Sequence, residues 1–375
     1  MVNCMCTVKH MYHVEELGYK EYNYTNELGG ASMSKLMFSS DYMEGAHPRI
    51  IEKLMQINYD KNSGYGTDDY CQSAKEKIRK ACECEDAQVH FLVGGTQANK
   101  VVITSFLQNY EGVISADSGH IAVHEAGAIE NSGHKVLTIK NNNGKLMADD
   151  VRDFVKGFYQ DETCDHMVFP GMVYISHPTE TGTLYTLSEL EALREVCDEY
   201  NMHFFMDGAR LGYGLVASDT DVTLADIARV CDVFYIGGTK VGAFFGEAVV
   251  ISRPNKVKHF FTSIKQNGAL LAKGWLLGVQ FDTLFTDDLY INISKNAIEC
   301  AYMLKQGIID KGYKLFADSS TNQQFVIVTN DKLKELREKV VFNVWEKVDQ
   351  EHTAIRFVTS WATTKEQVSE LLSYL

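Results

Sequence analysis

The sequence predicts an α/β fold: a large domain on a mostly parallel sheet, followed by a smaller α+β unit. Three observations predict it. From about residue 47, short apolar runs alternate with helical stretches, the pattern of βαβ units. The apolar runs are unbroken, as in strands covered on both faces. After about residue 285 the texture shifts to a long helix followed by interleaved short strands and helices.

Taken in order, Val89–Val93 is a strand that turns at Gly94-Gly95-Thr96 into a helix over Gln97–Gln108. Gly112–Ala116, Val136–Ile139, Val173–Ser176, Phe204–Met206, Val233–Ile236 and Ala248–Ile251 are further strands. Helices are expected at Met147–Tyr159, Leu187–Tyr200 and Leu224–Val230 between them. In the C-terminal part, Ser294–Gly312 reads as a helix closed by a glycine cap. Gln324–Thr329 and Ile355–Thr359 read as strands, Lys332–Lys339 and Lys365–Leu372 as helices. The expected organisation is an N-terminal extension over 1–35, a large domain over 36–285 and a small domain over 286–375. Residues 1–32 are polar, aromatic-rich and aperiodic, and Met33 is a candidate alternative start. A native mass ending near residue 33 would support that start, and a full-length mass would exclude it.

Composition narrows the function classes. The chain has 375 residues, 45% hydrophobic and 23% charged, ordinary for a globular protein. Its 36 basic against 50 acidic residues give a net charge of −14, which argues against nucleic acid or an anionic membrane as partner. No apolar run approaches the length of a membrane span. The nine cysteines are scattered, and the pairs Cys4/Cys6 and Cys82/Cys84 lack zinc-knuckle or redox spacing. With no secretory segment at the start, the expected compartment is the cytoplasm.

Three segments could carry chemistry. Phe205-Met206-Asp207-Gly208-Ala209-Arg210 ends an apolar strand in a carboxylate and then a guanidinium. Ligands of open α/β sheets gather at such strand ends. An acid there can keep a ring nitrogen protonated, or Asp207 and Arg210 can form a structural clip. Thr239-Lys240 follows the strand at 233–236 among small residues. Burial would lower the lysine's pKa and make it a Schiff-base nucleophile, whereas in a surface turn it would have no role. Gly94-Gly95-Thr96 at a helix start offers backbone N–H groups to one phosphate without being a nucleotide loop, or it is a plain helix cap. Together a phosphate nest, an acid and a lysine, each at a strand end, match one cofactor: pyridoxal 5′-phosphate (PLP) has one phosphate, one ring nitrogen and one aldehyde.

From about Leu36 onward the sequence resembles the threonine aldolases, in the β-eliminating lyase branch of fold-type I PLP enzymes. The motifs are Ser40-Asp41, Gly64-Tyr65-Gly66, Gly95-Thr96-Gln97-Ala98-Asn99, His120 with Glu125-Ala126-Gly127, Asp207-Gly208-Ala209-Arg210, Thr239-Lys240 and Ile355-Arg356-Phe357-Val358-Thr359. The resemblance implies a fold-type I PLP-transferase-like architecture and a lyase that cleaves threonine or allo-threonine to glycine and an aldehyde. It assigns the cofactor-linking lysine to Lys240 and the acid on the ring nitrogen to Asp207. Arg210 falls near the ring's phenolic oxygen, His120 over the ring face, and Gly95 with Thr96 at the phosphate. Arg356, helped by Ser40, would grip the substrate carboxylate. The family's oligomers, usually tetramers, place sites at subunit interfaces; here a homotetramer or homodimer is expected, with Tyr65 and Lys265 reaching a neighbour's substrate or cofactor.

Two departures stand out. Glu180, in Ser176-His177-Pro178-Thr179-Glu180-Thr181-Gly182, occupies the place of a family histidine that handles the substrate β-hydroxyl, leaving Glu180 or His177 for proton transfer. A phosphate-binding arginine of relatives falls on Ala272, with Lys273 adjacent, and lysine lacks the planar fork. His120 and His124 share helical spacing, but a third metal ligand is not evident, so no metal is expected. A transaminase or β-elimination lyase would use the same lysine and acid, and an inactive PLP-fold binding protein is the alternative outside catalysis.

Overall fold

The computed structural model describes residues 35–375, so the expectations for the N-terminal extension and the Met33 start lie outside the described residues. Seven strands form the central sheet, in the order Gln88–Leu92, Glu247–Ile251, Val233–Gly237, His203–Asp207, Phe169–Ser176, Glu111–Ala116 and Val136–Ile139. Glu247–Ile251 runs antiparallel to both its neighbours, and the remaining adjacent pairs are parallel. All seven expected strands are present. Their apolar runs are unbroken because each face of the sheet carries its own core. Phe204, Met206, Phe234 and Ile236 face one cluster, and Phe205, Tyr174, Val233 and Tyr235 face the other.

Helices cover both faces. Gly95–Phe106 follows the first strand. Leu187–Glu199 is fixed by a capping box between Thr186 and Glu189, and Leu224–Val230 by one between Thr223 and Asp226. Three further helices, Pro48–Gln56, Asp69–Ala81 and Trp275–Leu284, have no counterpart among the expected elements. Trp275–Leu284 is apolar nearly all round because it is buried, so it lacks the one-sided periodicity that marks a surface helix.

The 22-residue helix Leu289–Asp310 leads to a four-stranded antiparallel sheet, in the order Asn343–Lys347, His352–Val358, Gln323–Thr329 and Lys314–Ala317. Lys314–Ala317 and Asn343–Lys347 are edge strands with little buried surface, which explains their weak sequence signal. A third core lies beneath this sheet, and Phe38 belongs to it. Leu36–Met37 pairs in parallel with Val340–Val341. The first described residues thus pack with the C-terminal sheet although they open the expected large domain. Residues 35–375 form one compact unit, and no described helix is long and apolar enough to cross a membrane.

Candidate active site

The parallel strands deliver Ser176, Asp207 and the turn after Gly237 to one edge of the sheet, where a cavity of about 330 Å³ opens. Gly94–Thr96, His120, Ser176, Glu180, Asp207, Arg210 and Lys240 line it. Seven expected site residues are thereby brought together: Lys240, Asp207, Arg210, Gly95, Thr96, His120 and Glu180.

Asp207 is the most heavily partnered group. Its Oδ2 accepts from the Tyr174 hydroxyl at 2.7 Å and the Asn99 amide at 3.1 Å, and its Oδ1 from the Ala209 N–H at 3.0 Å. Burial alone would raise its pKa, but the charge of His120 and bonds from Tyr235, Tyr174 and Ala209 hold it below the usual carboxylate value. A glycine must follow it: a Cβ on Gly208 would collide with the Tyr235 carbonyl oxygen. Asp207 and Arg210 are not clipped to each other. Arg210 forks onto Asp41 instead, Nε to Oδ2 at 2.7 Å and Nη2 to Oδ1 at 3.0 Å, leaving the Asp207 carboxylate to the cavity.

Lys240 sits in the turn between Val233–Gly237 and Glu247–Ile251. Burial and the Arg210 guanidinium push its ammonium below the usual lysine range, against the pull of Asp41, Asp207 and Glu247. The shift is towards the neutral amine, the nucleophilic form. The imidazole of His120 is bonded through Nδ1 to Glu125 at 2.8 Å. Burial would lower its pKa, yet the Glu125 bond and the Asp207 charge raise it. The backbone N–H of His120 donates to Glu180 Oε1 at 2.9 Å, and the Ser176 hydroxyl donates to the same oxygen at 2.7 Å. Burial lifts the Glu180 pKa, partly offset by the Ser176 bond.

His177 does not suit the proton-handling role expected of it. It extends the strand by one ladder bond, its N–H donating to the Asp207 carbonyl at 2.9 Å. Its side chain points opposite to that of Ser176, because successive strand residues face opposite ways. It is fully buried against Tyr185, Nδ1 accepting from the Tyr185 N–H at 3.3 Å. Burial pushes its pKa down to about 4.

Arg356 and Ser40 do not line the cavity. Ser40 is buried beside Asp41, which fixes Arg210. Arg356, on His352–Val358, donates to the Gln323 amide oxygen at 2.8 Å and the Asn343 amide oxygen at 2.9 Å, and lies over the Trp345 ring. Among the described residues it has no carboxylate partner, and its buried Nε has no acceptor. Burial and the Arg210 charge push its pKa down to about 10. It is a desolvated cation held by neutral groups.

Tyr65 and Lys265 lie apart from the cavity but together, the Lys265 ammonium 4.7 Å from the Tyr65 ring centre. Tyr65 is 44% exposed and has a φ of 61°, left-handed backbone uncommon outside glycine. Ala272, which stands where relatives carry a phosphate-binding arginine, packs here, its carbonyl accepting from the Tyr65 N–H at 3.1 Å.

Sequence reasoning gave no roles to Asp41, Asn99, Glu125, Tyr174, Tyr235 and Glu247. Tyr174 shares a strand face with Ser176, a signal available from the alternation. Asp41 had no local signal, since Arg210 is 169 positions away.

The residues present fit PLP: a nest at Gly94–Thr96, an ionised acid at Asp207 and a destabilised lysine ammonium at Lys240 are different walls of one cavity. Comparison with known proteins agrees. The profile of the Beta-eliminating lyase family matches residues 38–331. A low specificity L-threonine aldolase of Pseudomonas sp. (strain NCIMB 10558) is 31% identical, covering 89% of this chain and 95% of that one. The Pseudomonas aeruginosa protein of the same name is 28% identical, with the same coverage. The structure of Leishmania major threonine aldolase is 40% identical at a TM-score of 0.87, covering 90% of this chain and 97% of that chain. A Thermus thermophilus aspartate aminotransferase double mutant shares the fold alone, at 13% identity and a TM-score of 0.67, covering 91% of this chain and 90% of that chain. The architecture is that of the fold-type I PLP enzymes. With a matching profile across most of its length, and a relative above 30% identity over nearly its whole length, the chain belongs to the Beta-eliminating lyase family.

Proposed function

We propose that the protein is a PLP-dependent aldolase that splits a β-hydroxy-α-amino acid, threonine or allo-threonine, into glycine and an aldehyde. The observation that carries this reading is the single cavity holding Lys240, Asp207 and the Gly94–Thr96 turn, in a chain similar to threonine aldolases.

When bound, PLP supplies an electron sink for the bond broken at Cα. Lys240 is the residue that would link it, Asp207 would keep a ring N–H, and Gly95 with Thr96 would hold its phosphate. His120 would cover the ring face, and Arg210, fixed by Asp41, would stand near the phenolic oxygen. Arg356, helped by Ser40, would orient the substrate through its carboxylate and so select which Cα bond breaks. Glu180 would take the β-hydroxyl proton as the Cα–Cβ bond opens, and a proton delivered to Cα completes glycine. Glu180 suits that step because its raised pKa gives the carboxylate more basicity than an exposed one.

Tyr65 and Lys265, adjacent to each other and away from their own cavity, support a homotetramer or homodimer in which they reach a neighbour's site. The seven described cysteines, all unpaired, support a reducing compartment, the cytoplasm.

The test is cleavage of L-threonine and L-allo-threonine coupled to an aldehyde reductase. Aldehyde release dependent on PLP supports the aldolase. Amino transfer that depends on a keto acid and releases no aldehyde contradicts it in favour of a transaminase.

A further inference from the structure

Glu247 is a buried acid that the reaction above does not use. It is 3% exposed and lines the same cavity as Lys240 and the Gly94–Thr96 turn. The sheet register puts it between Leu92 on one side and Gly237 on the other. Leu92 ends the strand that runs into the phosphate turn, and Gly237 ends the strand that runs into Lys240. Glu247 therefore stands where the two turns meet. Its Oε1 accepts from the Thr239 hydroxyl at 2.8 Å and its Oε2 from the Gly238 N–H at 3.3 Å, so it also clamps the two residues before Lys240.

The groups facing it come from several elements: Lys240 from the turn, Asp207 from the neighbouring strand, Tyr235 from its own strand pair and Tyr290 from the helix Leu289–Asp310. No guanidinium is bonded to it among the described residues. An ionised carboxylate beside a site for a phosphate dianion would oppose binding. A protonated carboxyl there can donate a hydrogen bond while its oxygens still accept from Thr239 and Gly238.

We propose that Glu247 is a proton-linked part of the phosphate cradle: it is protonated when the phosphate ester is bound, donates that proton towards a phosphate oxygen, and makes cofactor affinity fall in alkaline solution. This deepens the PLP reading and rests on it. The proton comes from solvent, and no bond of the ester is made or broken. In the free protein, burial lifts the Glu247 carboxyl to about 8, with Thr239 and Lys240 opposing and Asp207 adding to the shift. Below that pH the acid is already protonated and binding takes up no proton there. Above it, binding must take up one, so Kd rises by up to about tenfold per pH unit.

The test uses the full-length apoprotein and pyridoxine 5′-phosphate, which lacks the aldehyde and cannot react with Lys240. Its Kd is measured from about pH 7 to 9.5, where a phosphate monoester, with its second pKa of about 6, stays a dianion. Lys240, whose pKa is lowered by burial and by the Arg210 charge, and the ring nitrogen of the ligand are present in both measurements. Wild-type Kd should rise by roughly fivefold more than that of Glu247→Gln between about pH 8 and 9. Parallel profiles would overturn the assignment. If Glu247→Gln does not fold, Lys240→Met removes the competing titration. Calorimetry with methyl phosphate, a monoester with no ring nitrogen to titrate, in buffers of different ionisation enthalpy should then show a proton taken up on binding at about pH 9, and no uptake would overturn the proposal. A visible band when PLP is added to wild type separates the two readings: a band with parallel profiles leaves PLP in place and removes only the role of Glu247.

Discussion

The two sheets treat buried charge in opposite ways. At the edge of the large sheet every charge but the lysine has a counter-charge or several donors. Arg210 is forked on Asp41, His120 is bonded to Glu125, and Asp207 accepts from Tyr174, Asn99 and Ala209. On the small sheet Arg356 is held by the amides of Gln323 and Asn343 and the Trp345 ring, all uncharged. The first region is complete before any substrate arrives and sets protonation states in advance. In the second, a cation lacks a partner of opposite charge, the arrangement expected of a group that meets a carboxylate on binding. On the proposed reading, fixing the chemistry and selecting the substrate are divided between the two sheets.

The largest effect should come from the exception in the first region. Lys240→Ala removes the nucleophile, and turnover should fall by at least about 10⁴-fold, with loss of the visible band on adding PLP. Residual activity within tenfold of wild type would remove Lys240 from its assigned role. Asp207→Ala breaks the partnered region at its centre and should lower kcat by roughly 10²- to 10³-fold, whereas a near-normal kcat would mean the acid is structural. Arg356→Ala tests the other region. A raised KM of about 30-fold, or some 2 kcal/mol, with a smaller change in kcat is expected. A fall in kcat alone would place Arg356 in the chemistry rather than in substrate capture.

The smallest effect separates Ser176 and His177, neighbours that face opposite sides of one strand. The pKa of His177 is lowered from 6.5 to about 4 in the folded protein. Between those values the unfolded chain binds a proton that the folded one does not. Its stability contribution is therefore intact above about pH 6.5 and lost as pH falls towards 4. At about pH 5 the loss is on the order of 2 kcal/mol. Urea melts at about pH 7 and 5 should show a smaller acid loss in His177→Gln than in wild type, with PLP binding retained. Equal acid loss in both would mean that His177 is not held neutral, and loss of PLP binding would return it to the site.

Much of this was legible in the sequence because it is local. The strand–turn signals at Val93-Gly94-Gly95, Asp207-Gly208 and Thr239-Lys240 located three walls of the cavity, and the parallel sheet brought them together. The pairing of Arg210 with Asp41 was not legible, since both Asp207 and Asp41 are plausible partners and only the fold chooses the distant one. Glu180 and His177 could not be told apart, because the side a residue faces depends on where the strand ends. Tyr65 and Lys265 are far apart in sequence, and their stacking depends on the packing of the 265–274 loop. The helix Trp275–Leu284 was hidden by its uniform apolarity.

The central claim is that Lys240 forms an imine with PLP opposite Asp207. Its most direct test is borohydride reduction of the PLP-loaded protein followed by peptide mapping. A visible absorbance band that reduction abolishes, with the pyridoxyl group recovered on Lys240, is the predicted result. A label on any other lysine, or no visible band at all, would contradict the account.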